Sequence, residues 1–186
     1  NPGIEFLKQC LKSIEIQSYK NYNVFIIDDA STNERDEIRE LLEYYKDKYD
    51  WNYIQKTINE GPCQTRDMAI HNSQPNDDDI LVLVDGDDEL YDENVLNKLN
   101  DYYSDKNLLL TFGNYVRKTK NGKVEKNKKI RKFNLEKIIR NNLFRESKFF
   151  YTHLKTFKYK LYKNINKDDL KKNGEYIRSS TDIAIM

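Results

Sequence analysis

Three aspartates and one glycine follow directly on a run of apolar residues in the middle of the chain. The run is Ile80-Leu81-Val82-Leu83-Val84, and it leads into Asp85-Gly86-Asp87-Asp88. Short β-branched apolar runs are typical of strands buried on both faces, as in parallel sheets. Crowded carboxylates repel one another, and a divalent cation between them lowers the repulsion. Because open α/β sheets bind ligands beyond the carboxyl ends of their strands, we predict a metal-nucleotide site here.

A second acidic cluster, Asp28-Asp29, follows the segment Asn23-Val24-Phe25-Ile26-Ile27, which is predicted to be a buried strand. The carboxyl ends of parallel strands open on the same edge of a sheet, so both acidic clusters would face one cleft. For Asp28 and Asp29 the alternative is a turn or helix cap after the strand, which the sequence leaves open. The cluster at Asp85 has more carboxylates than a cap needs, which favours a functional role.

The elements around these clusters alternate between helix and strand. Helical spacing of apolar residues predicts a helix over about residues 4–17, and Pro62 is well placed to begin another. Further strands are predicted at Trp51–Ile58 and Leu108–Phe112. Such alternation indicates βαβ units, and hence an α/β fold with a mostly parallel sheet flanked by helices. The segment from Lys118 to Lys132 is predicted to be a surface loop or hairpin, and the C-terminal part is expected to be short and irregular.

Composition narrows the class of protein. The chain has 186 residues, of which 38% are hydrophobic and 34% charged, which fits one globular domain. With a net charge of +1 and no nucleic-acid motif, no nucleic-acid partner is expected. There is no apolar run of membrane-spanning length, and Cys10 and Cys63 lack metal or disulfide spacing, so a cytoplasmic location, soluble or peripheral, is expected. Abundant Lys, Asn, Ile and Tyr suggest an AT-rich bacterium or large DNA virus as the source.

Four short motifs in order resemble glycosyltransferase family 2, whose members have the GT-A (Rossmann-like) fold. They are Asp28-Asp29-Ala30-Ser31, Asn59-Glu60-Gly61, Thr65-Arg66-Asp67 and Asp85-Gly86-Asp87-Asp88. The resemblance covers about residues 4–115. It implies a single domain over 1–186, with a nucleotide-sugar-binding half at about 1–115 and an acceptor-side half at about 116–186. Such domains usually open with a strand that this sequence lacks, and the sequence starts abruptly at Asn1-Pro2-Gly3 and stops abruptly at Ala184-Ile185-Met186. We therefore expect the domain to be incomplete at both ends.

The resemblance also implies an activity and roles for individual residues. The activity would be metal-dependent, inverting transfer from a nucleoside-diphosphate sugar, with a UDP-sugar favoured, to a hydroxyl of a glycan, protein or lipid-linked acceptor. Asp28 or Asp29 would bind the uracil-like base or its ribose, and Arg66 would lie near the base. Asp85 would contact the ribose or the water ligands of the metal, and Asp87 would ligate Mn²⁺ or Mg²⁺.

Two further residues are candidates on the acceptor side. The resemblance implies a catalytic base at Asp182 in Ser180-Thr181-Asp182, although Thr181 stands where an acidic residue is common and Asp182 could instead begin a helix. His153 could line the acceptor pocket or add a metal ligand, but a structural histidine is favoured.

Two other functions are compatible with the same residues. A haloacid-dehalogenase-like phosphatase would use Asp85 and Asp87 as nucleophile and acid, although its strand normally opens the domain. A non-catalytic nucleotide- or glycan-binding module of the glycosyltransferase fold would keep the binding residues without the chemistry.

Overall fold

The computed structural model describes residues 3–118, 124–126, 135–141, 143 and 153–178. Its helices are Ile4–Glu15 (α1), Arg35–Tyr49 (α2), Pro62–Asn72 (α3), Val95–Tyr102 (α4), Leu135–Arg140 (α5) and Tyr159–Tyr162 (α6), with a 3-10 helix at Lys167–Leu170. Its strands are Phe25–Asp28 (β1), Asn52–Gln55 (β2), Ile80–Leu83 (β3), Leu110–Phe112 (β4), Val116–Lys118 (β5), Val124–Lys126 (β6), Lys155–Lys158 (β7), Lys171–Lys172 (β8) and Glu175–Tyr176 (β9).

Strands β1 and β2 pair in parallel, with Asp28 opposite Gln55 at the carboxyl end. Helices α1 and α2 supply most of the core that packs around this pair. Its buried residues are Leu7, Leu11, Ile38, Leu42, Tyr45 and Trp51. The rings of Tyr45 and Trp51 stack with their centroids 4.9 Å apart, so the indole joins α2 to the start of β2. This half of the chain has the βαβ arrangement that the sequence predicts.

The second sheet has the order β3-β7-β4, in which β7 is antiparallel to both neighbours. Strands β3 and β4 therefore run in the same direction, as predicted, while β7 returns between them. All four residues of β7 are buried, including Lys155 and Lys158. This strand is not predicted from the sequence, because it begins and ends with a lysine and lysines are seldom buried.

Smaller elements agree with several sequence expectations. Pro62 is the first residue of α3, and Gly61 before it has a φ of 89°, a conformation that suits glycine. Strands β5 and β6 pair in antiparallel orientation, with Arg117 opposite Glu125. None of the helices in the described residues is both long and apolar enough to cross a membrane.

Candidate active site

Asp29 joins the end of β1 to the turn at residues 59–61. Its Oδ1 accepts hydrogen bonds from Lys56 Nζ at 2.6 Å and from the Glu60 amide at 3.0 Å, and its Oδ2 accepts one from the Gly61 amide at 2.8 Å. Asn59 Nδ2 donates to the Asp29 carbonyl at 2.9 Å. Burial alone would raise the pKa of Asp29, but these donors outweigh it and hold the pKa below its ordinary value. The carboxylate therefore fixes the shape of the turn.

Lys56 is the buried cation of this cluster, with a side chain that is only 7% exposed. Besides Asp29, its ammonium contacts Glu60 Oε2 at 2.7 Å and donates to Thr65 Oγ1 at 3.1 Å. Burial opposes the charged form, yet the two carboxylates keep the pKa of Lys56 above its ordinary value. No sequence signal marks this residue, because a lysine just after a strand is ordinarily exposed.

Asp28 is buried at the last position of β1. Its Oδ1 accepts from the Ser31 amide at 2.9 Å, and its Oδ2 accepts from Gln55 Nε2 at 3.1 Å. These contacts are what a turn-forming aspartate makes, so the structural interpretation of Asp28 is supported by geometry. Its contact with a nucleotide stays a prediction.

Arg66 reaches from α3 to the acidic cluster after β3. Its Nη2 lies 2.7 Å from Asp85 Oδ1, and the Arg66 side chain is 17% exposed. The Asp85 carbonyl accepts from the Asp88 amide at 2.9 Å, which closes the turn that carries the aspartates. Two residues assigned separately from the sequence are thus in contact.

Asp85, Asp88 and His153 offer ligand atoms that all lie within 4.8 Å of one another. His153 Nδ1 is 3.2 Å from Asp88 Oδ2. Burial raises the pKa of Asp88; His153 opposes this effect, while the charges of Asp87 and Asp85 add to it. Asp87 itself is exposed and does not belong to this group, so its assignment as the metal ligand stays a prediction. Asp88 was not assigned a role from the sequence, although it lies within the same motif.

Asp182 lies outside the described residues, as do Ser180 and Thr181. The described chain reaches Arg178, which contacts the turn at residues 59–61 through the Asn59 carbonyl at 3.1 Å. The role of Asp182 as a base therefore stays a prediction.

Comparison with known proteins shows the family of the chain. The family described as "Glycosyl transferase family 2" matches residues 3–165, which is most of the chain. The chain belongs to glycosyl transferase family 2. Within this family it is 30% identical over 120 residues to an uncharacterized glycosyltransferase of Rickettsia conorii, covering 64% of this chain and 18% of the relative. It is also 30% identical over 112 residues to an uncharacterized glycosyltransferase of Haemophilus influenzae, covering 60% of this chain and 42% of the relative.

Solved structures share the fold at low sequence identity. Residues 1–349 of S. aureus TarS match with a TM-score of 0.66 and 18% identity, covering 97% of this chain and 50% of that one. A mannosyltransferase from Pyrobaculum calidifontis, solved with GDP-Man and Mn²⁺, matches with a TM-score of 0.62 and 18% identity, covering 98% and 47%. The predicted GT-A fold is confirmed. This family 2 chain spans half or less of the length of each of these proteins.

Proposed function

We propose that this family 2 chain is the catalytic domain of a metal-dependent, inverting glycosyltransferase that uses a nucleoside-diphosphate sugar. One observation carries the proposal: both acidic strand ends attach to the N-terminal half of α3. Asp29 binds the turn that leads into this helix, and Arg66 within the helix binds Asp85. The two clusters are therefore connected through α3, and the donor would lie between them, beyond the carboxyl ends of β1 and β3, where α/β folds bind nucleotides.

The donor would lie along this edge. The turn at residues 59–61, with Asp28 and Asp29, forms the side for the base, and Arg66 lies between this turn and Asp85, which would contact the ribose. TarS has been solved with UDP, and the Pyrobaculum enzyme with GDP-Man. Since the motif resemblance favours uridine, we propose a UDP-sugar as the donor.

The acidic cluster fits a hard divalent cation. Carboxylate oxygens suit Mn²⁺ and Mg²⁺. Burial raises the pKa of Asp88, the charges of Asp87 and Asp85 add to this effect, and a bound cation would stabilise the carboxylates of the cluster. Asp87 would hold the cation, and Asp85, Asp88 and His153 offer further ligand atoms beside it. When bound, the cation would neutralise charge on the diphosphate leaving group. The contact with Asp88 favours this metal-side role for His153 over one in the acceptor pocket.

On the acceptor side, the carboxylate of Asp182 would take the proton of the acceptor hydroxyl. The hydroxyl oxygen would bond to the anomeric carbon as the bond from that carbon to the diphosphate oxygen breaks and the nucleoside diphosphate leaves. We propose a hydroxyl of a glycan, a protein or a lipid-linked molecule as the acceptor. Loss of turnover in Asp182→Asn, with nucleotide affinity retained, would support this assignment, whereas an active variant would remove it.

The two alternatives differ in their support. The family match argues against a haloacid-dehalogenase-like phosphatase, and the ion pair of Asp85 with Arg66 disfavours Asp85 as a free nucleophile. A non-catalytic module of the same fold would bind a nucleotide without turnover, and the experiments below separate it from an enzyme.

Calorimetric titration of UDP, GDP and CMP, with and without Mn²⁺, tests the donor site. We expect one nucleotide to bind only with the metal, and Asp87→Asn to abolish that binding. The matched control is Asp36→Asn, which removes an exposed aspartate in the first turn of α2, where it pairs with Arg39 at 2.8 Å.

Absence of nucleotide binding to the wild-type chain would contradict the proposal for this chain. Equal binding by wild type and Asp87→Asn would remove Asp87 from the metal site. Binding that is followed by no release of nucleotide from any of a panel of UDP- and GDP-sugars would favour the non-catalytic module.

A further inference from the structure

The last described segment of the chain is attached to α3 through a buried carboxylate. Asp67, next to Arg66, accepts from Tyr162 Oη at 2.6 Å and from Tyr176 Oη at 2.9 Å. Tyr176 ends β9, and Asp67 is only 7% exposed. Helix α3 therefore contacts the acidic cluster with one residue and the C-terminal segment with the next.

Arg178 makes a second attachment, to the turn at residues 59–61, which we call the donor-side turn. Its Nη2 donates to the Asn59 carbonyl at 3.1 Å. Its aliphatic stem lies on Gly61, where an added Cβ would stand 3.3 Å from Arg178 Cγ. The same glycine donates its amide to Asp29 and has a positive φ of 89°. The absence of a side chain at Gly61 thus serves both the turn and the approach of Arg178.

We propose that Arg178 is a positioning residue, which holds the chain leading to the acceptor side against the turn that forms the donor side. The turn is itself held in place, because Asp29 accepts hydrogen bonds from the Glu60 amide of the turn and from the buried Lys56. Asp182, the proposed base, follows Arg178 by four residues in the sequence. The inference rests on the proposed function for what the two sides bind, but the contact itself is independent of any ligand.

Three substitutions separate the parts of this contact. Arg178→Lys keeps the stem and a cationic donor, Arg178→Met keeps the stem alone, and Arg178→Ala removes both. Amide hydrogen exchange of residues 59–62 and 177–186 reports the attachment without any ligand. We expect Arg178→Met and Arg178→Ala to increase exchange in both segments, and Arg178→Lys to keep most of the protection.

Donor hydrolysis measures the functional consequence, with water in place of the unknown acceptor. The water oxygen bonds to the anomeric carbon, the bond from that carbon to the diphosphate oxygen breaks, the nucleoside diphosphate leaves, and the proton passes to the base. We expect Arg178→Met and Arg178→Ala to lower the turnover by about tenfold or more, because a small misplacement of a reacting group reduces the rate strongly. The Kd for the nucleoside diphosphate should change by less than about twofold, which is far smaller than the change in rate.

Gly61→Ala tests the same contact from the other side. Gly3→Ala is the matched control, because Gly3 also precedes a helix, with a φ of 85° and a ψ of 148° against 89° and 165° for Gly61. A Cβ on Gly3 would come no closer than 3.7 Å to the end of the Glu34 side chain. We expect Gly61→Ala, but not Gly3→Ala, to increase exchange in residues 177–186. In a chain that already carries Arg178→Ala, Gly61→Ala should add no further exchange there.

Wild-type exchange and turnover in Arg178→Met would overturn the proposal. So would a loss of turnover that matches the loss of folded, nucleotide-binding molecules, since that would indicate a purely stabilising role. If the wild-type chain binds no nucleotide, the proposed function fails, while the exchange experiment still decides whether Arg178 holds the segment.

Discussion

The buried pair of Lys56 and Asp29 gives a quantitative test of the donor-side turn. Asp29→Ala removes the acceptor for three donors and leaves a buried ammonium with Glu60. Breaking a buried pair from one side costs about 3–5 kcal/mol, and the remaining Glu60 contact places the expected loss near 3 kcal/mol. Lys56→Met leaves Asp29 its two amide donors, so the expected loss is smaller, about 2 kcal/mol.

The double variant shows whether the two side chains act together. With both charges removed, neither Lys56 nor Asp29 is left buried without the other, so the combined loss should be about 1.5–2 kcal/mol less than the sum of the two single losses. Urea unfolding of the wild type, both single variants and the double variant at pH 7 measures this difference. Asp36→Ala, on the exposed face of α2, is the control and should change stability by less than about 0.5 kcal/mol.

The pH dependence gives a second measurement of the same contact. Asp29 has a folded-state pKa below its ordinary value of 3.8, so its contribution to stability is present above that value. The contribution is lost as the pH falls through the lower, folded-state pKa. The difference between wild type and Asp29→Ala should therefore shrink as the pH falls below about 4. Additive single losses, or a difference that stays constant down to pH 2.5, would refute this description of the turn.

Three further outcomes follow from buried side chains. Leu42→Ala should lower the free energy of unfolding by about 2–5 kcal/mol, because Leu42 is only 1% exposed in the core around β1 and β2. A loss below about 1 kcal/mol in urea unfolding would contradict that packing. Tyr162→Phe should cost about 1–2 kcal/mol through the lost bond to Asp67, and an unchanged midpoint would contradict it. Burial and the nearby aspartates raise the pKa of Cys10 to about 12, and burial raises that of Cys63. Ellman's reagent at pH 8 should therefore modify both thiols slowly in the native protein and rapidly in urea; fast native reaction would contradict this.

The sequence determined the elements whose signals are local. The apolar runs before Asp28 and Asp85 predicted two of the strands, and Pro62 marked the start of α3. Local patterns carry this information because burial and backbone geometry act on neighbouring residues. The order of four short motifs was enough to place the chain in its family.

The tertiary structure alone decided how distant segments meet. It placed β7 between β3 and β4, buried Lys56 beneath the donor-side turn, and brought His153 against Asp88. A lysine is buried only where another element supplies its counter-charge, and a histidine contacts a carboxylate only where the chain returns to it. Contacts between charged side chains of distant segments depend on the path of the whole chain, so the local sequence around Lys56 or His153 does not predict them.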